Sequence, residues 1–326
     1  MKKKLFIHIG PGKSGTSAIQ SFLSRNNDNL SKFNYNYPEI DSILESGQGR
    51  VTGGNAASLA RSFLNDKHPF SIKDVEKKKA IQEKLKKVLN QSEYNLILSS
   101  ELFSMLNKEE VFDLKKIIDN YNYDVRFICY LRRHDQIVES DYAQQVKKHG
   151  YYKDIDQNFY KHIINAYNFI RIINNYEDNF NNNSAEIRVY EKSQFKNGNI
   201  LEDFLDAINL YKEKDTFIFN KGIVNPSPSR KMLEIMKIVN KINTNPRINE
   251  KLLDLVFKKE AFQKKTNENY IDYDSKKEIL IKCNPMYTEI ANKYFDRNIL
   301  FKENLENYEI NDLTNNDLVE VFMELL

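Results

Sequence analysis

The chain has few cysteines, no tryptophan and no large excess of charge of either sign. Two cysteines among 326 residues argue against a disulfide scaffold and favour a reducing compartment. The 49 lysines and arginines are nearly balanced by 46 aspartates and glutamates, for a net charge of +3. General nucleic-acid binding needs a concentrated basic face, so this balance argues against it and allows only local anion sites. The 20 phenylalanines and 19 tyrosines are enough for a hydrophobic core.

Long hydrophobic runs and metal-ligand spacings are also missing from the sequence. Lysines 2–4 resemble the start of a signal peptide, but only the short run 5–9 follows before the first glycine. We therefore expect no secretory or transmembrane segment, and a cytoplasmic protein. The five histidines and two cysteines lack the spacing of a zinc site, so no metal is expected.

The first 23 residues have the pattern of a strand, a glycine-rich turn and the start of a helix. A β-compatible run at 5–9 precedes residues 10–15, here called the glycine loop, which contains three glycines and Lys13. Thr16 and Ser17 can cap the helix that follows. Backbone donors, the positive end of a helix and one ammonium together favour an anion, most often phosphate. An ordinary turn whose glycines serve geometry alone is the alternative.

The spacing of the glycine loop narrows the choice of nucleotide. A Walker A loop has the form G-x-x-x-x-G-K-[ST], and the residue five before Gly12 is Ile7, so that frame fails. Here the lysine precedes the last glycine. This order resembles the 5′-phosphosulfate loop of the sulfotransferases, which use 3′-phosphoadenosine 5′-phosphosulfate (PAPS). The resemblance implies that PAPS is bound by Gly12, Lys13, Ser14, Gly15, Thr16 and Ser17.

A second polar segment follows the strand predicted at 125–131. Arg132 leaves that strand, and Ser140 lies eight residues further on in the next predicted helix, so guanidinium and hydroxyl could hold one phosphate together. The pair resembles the second family motif, which binds the 3′-phosphate of PAPS. A surface ion-pair site is the alternative. The segment departs from the family because His134 stands where many members have proline and Asp135 comes one position early.

A third polar segment, residues 99–101, follows the strand predicted at 95–99. Ligands of open parallel sheets collect at the carboxyl ends of the strands, so this segment is expected near the glycine loop. The resemblance implies that Glu101 is the catalytic base and that Lys13 stabilises the leaving group, with His134 as the alternative base. Glu101 could instead be a carboxylate favoured by a helix start. His8 lies within the first strand and is more typical of a core histidine.

The alternation of strands and helices predicts an α/β fold. We expect a mostly parallel central sheet flanked by helices, of the P-loop nucleotide-binding type, with a helical C-terminal part. One domain is predicted over 1–326, with 225–326 as a helical extension. The predicted strands are 5–9, 95–99, 125–131 and 185–190; the predicted helices start at 18 and span 56–64, 74–90, 107–120, 136–148, 159–176, 200–208, 229–241, 251–264 and 285–294.

The resemblance implies a bacterial sulfotransferase that moves sulfate from PAPS to a hydroxyl. Loose similarity downstream of the two nucleotide motifs implies a glycan or glycolipid acceptor, for which peripheral membrane contact is possible. Lys221–Gly222 could add a late nucleotide contact. Two other hypotheses remain open: a P-loop kinase or NTPase acting on a small molecule, and a non-catalytic nucleotide- or glycan-binding relative.

Overall fold

The computed structural model describes residues 2–41, 53–180, 184–219, 227–242, 246–265, 268–305, 308 and 314–325. These group into two compact units that interleave along the chain. The first unit comprises 1–132, 167–224 and 288–302, and the second comprises 133–166, 225–287 and 303–326. The predicted contact at Lys221–Gly222 lies outside the described residues. The single domain expected over 1–326 stays a prediction.

The first unit contains a five-stranded sheet in which every pairing is parallel. Its strands are β1 (Lys3–His8), β2 (Tyr35–Asn36), β3 (Asn95–Ser99), β4 (Tyr123–Leu131) and β5 (Ala185–Val189). Their order is β2-β3-β1-β4-β5, so β1 is central. The predicted α/β fold with a parallel sheet flanked by helices is confirmed.

Helices, loops and short 3₁₀ turns connect the strands and form the rest of the described chain. In chain order they are α1 (Thr16–Arg25), α2 (Asn27–Ser31), α3 (Ala57–Phe63), α4 (Val75–Gln91), α5 (Lys108–Ile118), α6 (His134–His149), α7 (Gln157–Ala166), α8 (Phe169–Glu177), α9 (Ile200–Ala207), α10 (Arg230–Ile242), α11 (Pro246–Lys258), α12 (Tyr273–Phe295) and α13 (Asn315–Leu325).

Both faces of the sheet are covered by helices. On one face, α1 and α9 pack against strand residues that include Phe6, Ile128 and Tyr130 in a single hydrophobic cluster. On the other face, the ring of Phe127 lies 5.3 Å from that of Tyr176 on α8. A sheet buried on both faces explains why β1, β3 and β4 have continuous apolar runs instead of alternating ones.

The predicted helix 159–176 is wrong, because the structure has two helices there. Asn168 ends the first segment by capping the second, accepting a hydrogen bond from the Arg171 backbone N–H at 3.0 Å. Such side-chain capping fixes a helix start inside what is otherwise a continuous periodic pattern. Two residues, Tyr167 and the capping Asn168, lie between the two helices.

Other differences concern elements that the sequence pattern did not delimit: α2 was not predicted, and α11 ends at Lys258, before the separate 3₁₀ turn Glu260–Phe262, instead of spanning 251–264. Strand β2 has two residues, too few to give a periodic signal. Helix α12 begins at Tyr273, twelve residues before the predicted start, and contains Pro285 in its interior. Helix α13 was not predicted. In the second unit, α6, α10 and α11 share a hydrophobic core with Tyr142, Met232 and Leu252 among its fully covered side chains.

Candidate functional site

Three strand ends meet around the glycine loop, as predicted. The β1–β3 register pairs His8 with Ser99, and the β1–β4 register pairs His8 with Ile128. Beyond the last paired residues, the Ile9 N–H donates to the Ile128 carbonyl at 3.0 Å and the Ser100 N–H donates to the His8 carbonyl at 3.2 Å. The central position of β1 therefore places its loop between the segments that follow β3 and β4.

The glycine loop has two residues with left-handed backbone angles. Lys13 has a φ of 72° and Gly15 a φ of 80°. The Ser14 hydroxyl donates to the Pro11 carbonyl at 2.6 Å, which closes the turn. Positive φ is uncommon for a lysine and is found where the surroundings enforce it, often at functional sites.

The loop leads directly into α1, whose N-terminus faces the same end of the sheet. Gly15 is the N-cap of this ten-residue helix and no side chain caps it, so the predicted capping by Thr16 and Ser17 is wrong; the first turn contains no acidic residue. The first N–H groups of a helix have no partner inside the helix and carry the positive end of its dipole. Since no carboxylate competes in that turn, the loop and helix start have the chemistry of an anion site.

Gly12 lies against two oxygen atoms from other parts of the first unit. A β-carbon placed on Gly12 would be 3.2 Å from Glu101 Oε2 and 3.2 Å from the Tyr167 hydroxyl. Because glycine has no side chain, these two oxygens can pack directly against the loop at this residue. The structure thus brings the predicted base Glu101 to the glycine loop, together with a tyrosine that was not predicted.

Glu101 is held by a short 3₁₀ turn, Glu101–Met105, that starts where β3 ends. The Ser100 hydroxyl caps this turn by accepting from the Leu102 N–H at 3.2 Å, and the Ser104 hydroxyl donates to the Glu101 carbonyl at 2.7 Å. Glu101 as a whole residue is half-buried. The backbone at Glu101 is therefore fixed on both sides.

Arg132 connects the end of β4 to the glycine loop. Its Nη1 donates to the Lys13 carbonyl at 2.6 Å, and its guanidinium lies 5.2 Å from the centre of the Tyr190 ring. Tyr190 also touches the loop, because a β-carbon on Gly15 would lie 2.8 Å from that ring and 2.3 Å from Ile200 Cδ1. The predicted nucleotide residues Lys13, Gly15 and Arg132 are therefore brought together.

Buried polar side chains form a hydrogen-bonded network around Ser99, at the end of β3. His8 is fully buried; its Nδ1 is 2.8 Å from the Ser99 hydroxyl, to which Gln20 also donates at 3.3 Å. The Asn55 side chain accepts from the Ser99 N–H at 2.8 Å. Burial lowers the pKa of His8 from 6.5 to about 3, so this histidine is neutral, consistent with the core role expected for it.

Two predicted residues, His134 and Ser140, belong to the second unit. His134 is fully buried, and its Nδ1 and backbone N–H both contact the Tyr287 hydroxyl, at 2.7 Å and 2.9 Å. Ser140 is half-buried on α6. Asp135 forms a bidentate ion pair with Arg133. The Arg133 Nε and Nη2 atoms donate to the two carboxylate oxygens at 2.8 Å and 2.9 Å. The roles of His134 and Ser140 stay predictions.

Among the described residues, no group of three or more histidine, cysteine, aspartate or glutamate side chains is arranged to hold a metal ion. No helix in the same part of the chain is both long and apolar enough to cross a membrane.

Known proteins that are similar to this chain include one sequence relative and two solved structures. An uncharacterised protein of Archaeoglobus fulgidus is 24% identical over 234 residues, which are 70% of this chain and 62% of that protein's length. A sulfotransferase from Alicyclobacillus acidocaldarius has a TM-score of 0.38 at 13% identity, covering 77% of this chain and 100% of that one. The sulfotransferase domain from the curacin biosynthetic pathway has a TM-score of 0.41 at 13% identity, covering 86% and 97%. No family model matches the chain.

Sequence reasoning missed two tyrosines at this site. Tyr190 follows β5 directly, so the rule that ligands collect at strand ends could have identified it. Tyr167 comes after a helix and before another, and no local pattern distinguishes it from the chain's other tyrosines. Its position follows from the packing of α8 through the buried Phe169.

Proposed function

We propose that this protein is a sulfotransferase that moves the sulfuryl group of PAPS to a hydroxyl of a glycan or glycolipid. The observation that carries the proposal is the packing of the Glu101 carboxylate against Gly12 of an anion-type loop. An anion loop alone suits many nucleotides. A carboxylate beside it supplies the base that a hydroxyl acceptor requires.

The residues of the loop suit the 5′ end of such a nucleotide. Left-handed backbone at Lys13 and Gly15 turns successive N–H groups toward one side, an arrangement that favours anions. The absence of an acidic residue from the first turn of α1 leaves the positive helix end uncompensated by the helix itself. Bound here, PAPS would supply a sulfuryl group activated by its bond to phosphate.

The chain's own residues would divide the chemistry between proton removal and charge stabilisation. The acceptor hydroxyl gives its proton to Glu101 as its oxygen bonds to sulfur. The bond between sulfur and the 5′-phosphate oxygen breaks, and its electron pair leaves on that oxygen, where the Lys13 ammonium stabilises the added negative charge. The products are a sulfate ester and adenosine 3′,5′-bisphosphate, with the proton held by Glu101.

The remaining parts of the proposal extend the resemblance of the motifs. Arg132, with Ser140, would hold the 3′-phosphate through charge-assisted hydrogen bonds. His134 is the alternative base, Thr16 and Ser17 would add donors to the 5′ end, and no metal is required. We place the reaction in the cytoplasm of a bacterium, with an acceptor whose lipid would bring the enzyme to a membrane surface.

Release of adenosine 3′,5′-bisphosphate from PAPS, measured across a panel of glycan and glycolipid acceptors, tests this proposal. Glu101→Gln should reduce acceptor-dependent release by at least about 100-fold, the low end for loss of general-base catalysis, while bisphosphate affinity stays within about twofold. Glu109→Gln, an exposed glutamate on α5, is the matched control and should behave as the unmodified protein. Full turnover in Glu101→Gln would reject this base and direct attention to His134.

A further inference from the structure

Residues 65–73, here called the Phe70 loop, lie between α3 and α4 and present an aromatic side chain to solvent. Phe70 is 49% exposed, and Val75, the first residue of α4, is 57% exposed. We propose that the Phe70 loop is the surface by which this protein docks on an anionic membrane. The inference rests on the proposed function for its lipid-linked acceptor, and it names the part of the chain that meets the lipid.

The backbone of Phe70 is fixed on both sides by side chains. Its N–H donates to His68 Nδ1 at 3.2 Å, and its carbonyl accepts from Arg61 Nε at 2.8 Å. The His68 ring lies 5.7 Å from the Phe70 ring. A single exposed apolar side chain is common and indicates nothing by itself. Here, however, hydrogen bonds hold the backbone that carries the exposed ring.

Other side chains hydrogen-bond the carbonyls of the same loop. Lys73 Nζ donates to the carbonyls of Asp66 and His68, the latter at 2.9 Å. The Ser71 hydroxyl donates to the Leu64 carbonyl at 2.8 Å. A loop whose backbone is already bonded in this way has little freedom left to lose, so less of the docking free energy is spent on ordering it.

The charge of residues 65–79 suits a surface of anionic lipid. This range contains five lysines and three acidic residues. The acidic side chains are all engaged within the protein: Asp66 with Lys78, Glu76 with Lys79, and Asp74 with the Lys77 backbone N–H. Among the described residues, the Lys67 and Lys77 ammonium groups have no hydrogen-bond or ion-pair partner. Free cations beside exposed apolar side chains are complementary to anionic headgroups that lie over hydrocarbon.

A membrane suits this surface better than a protein partner does. A specific protein interface buries about 800 Å² on each partner around an apolar core, whereas the Phe70 loop and the start of α4 offer two exposed apolar side chains flanked by lysines. Membrane docking needs less, because an apolar side chain at the headgroup boundary and a few basic residues already give reversible attachment. We therefore expect docking that is weak, reversible and dependent on anionic lipid.

The Phe70 loop is joined to the part of the chain that follows Glu101. Glu110 Oε1 accepts from the Asn65 N–H at 2.8 Å and from Asn65 Nδ2 at 3.0 Å, and Glu110 Oε2 accepts from the Asn107 N–H at 2.8 Å. Glu110 is in the first turn of α5, and the short turn that begins with Glu101 is the element between β3 and this helix. Asn65 is therefore bonded to the helix start that follows the carboxyl end of β3, the end where ligands of parallel sheets collect.

A fluorescence experiment tests contact of the loop with lipid, because the chain has no tryptophan of its own. Phe70→Trp is mixed, without nucleotide, with vesicles of phosphatidylcholine alone or with an equal part of phosphatidylglycerol. Emission should shift to the blue with the mixed vesicles only, since tryptophan favours the membrane interface and the lysines require anionic lipid. Phe112→Trp, at a phenylalanine that is 50% exposed on α5, is the matched control and should show no shift.

Co-sedimentation with the mixed vesicles measures the contributions of the ring and of the charge. Phe70→Ser should weaken vesicle binding about tenfold, the scale of burying one such ring. Lys77→Gln should weaken it about fivefold at low salt, an effect that fades as the salt concentration rises. Phe112→Ser and Lys87→Gln, the latter at an exposed lysine further along α4, are the controls and should bind like the unmodified protein. Unchanged thermal midpoints show that the variants are folded.

The outcomes separate this inference from the proposed function. If the unmodified protein does not bind the mixed vesicles, or if Phe70→Ser and Phe112→Ser lose binding equally, the inference is overturned, while adenosine 3′,5′-bisphosphate binding still tests the proposed function. If the protein binds vesicles through Phe70 but does not bind the bisphosphate, the docking surface is supported and the proposed function is rejected.

Discussion

The Arg132 guanidinium donates a 2.6 Å hydrogen bond to the backbone carbonyl of Lys13. The residue that follows β4 is thus hydrogen-bonded to the glycine loop, at Lys13, whose backbone is left-handed. The guanidinium also lies 5.2 Å from the centre of the Tyr190 ring, so Arg132 connects the loop to the residue that follows β5. The role of Arg132 in holding the loop can be separated from its proposed role in binding the 3′-phosphate by comparing nucleotides with and without that phosphate.

Arg132→Ala is predicted to lower the affinity for adenosine 3′,5′-bisphosphate about tenfold more than the affinity for 5′-AMP. The reason is that a charge-assisted hydrogen bond to the 3′-phosphate is lost. Competition between the two nucleotides, followed by thermal shift, measures the difference. Arg171→Ala, at an exposed arginine on α8, is the control. Equal losses for the two nucleotides would mean that Arg132 acts through the loop alone.

Lys13 offers a test of whether its side chain or its backbone matters for binding. Lys13→Gly should be more stable than Lys13→Ala by roughly 1 kcal/mol, because only glycine adopts a φ of 72° without steric cost. Both variants lack the ammonium and should lose bisphosphate affinity to the same extent. Urea unfolding and calorimetry measure the two effects. If Lys13→Gly binds like the unmodified protein, the ammonium does not contact the nucleotide.

Gly15 should be the least replaceable glycine of the loop. Gly15→Ala combines left-handed strain, about 1 kcal/mol, with a β-carbon 2.3 Å from Ile200 Cδ1, so we expect roughly 1–3 kcal/mol of further destabilisation from overpacking. Gly198→Ala is the control in the same unit: its φ is 68°, but the nearest atom to an added β-carbon is 3.9 Å away. Similar urea midpoints for the two variants would contradict the close packing at Gly15.

His8 should make the first unit lose stability as the pH falls. Its pKa in the folded protein is about 3, below the ordinary 6.5, so the unfolded chain binds a proton between these values and the folded chain does not. The free energy of unfolding is therefore highest above pH 6.5 and decreases by roughly 1.4 kcal/mol per pH unit on acidification toward pH 3. Urea unfolding at pH 7 and pH 5 should differ by about 2 kcal/mol from this group.

His8→Asn isolates that contribution, because asparagine keeps an amide that can bond the Ser99 hydroxyl but does not titrate. The variant should lack the His8 part of the pH dependence. His149→Gln removes an exposed histidine on α6 and is the control for histidine loss. An unchanged pH dependence in His8→Asn would show that the buried ring does not control acid stability.

The parts of the fold set by local pattern could be predicted, and the parts set by packing could not. The strand 95–99 and the loop around Lys13 follow from apolar runs and glycine spacing, and their convergence follows from the rule for parallel sheets. Tyr167 lies at a helix break that depends on one capping side chain, Asn168, within a periodic pattern. The packing of its hydroxyl against Gly12 joins residues 155 positions apart in the printed sequence, which no local signal encodes.

The most direct measurement of the central claim is calorimetry with adenosine 3′,5′-bisphosphate, compared with ATP and Mg²⁺ under the same conditions. The account predicts that the bisphosphate binds without a metal ion and that both phosphates contribute, so that 5′-AMP binds more weakly. Binding of ATP only in the presence of Mg²⁺, with no heat from the bisphosphate, would contradict the sulfotransferase proposal and favour a kinase or NTPase.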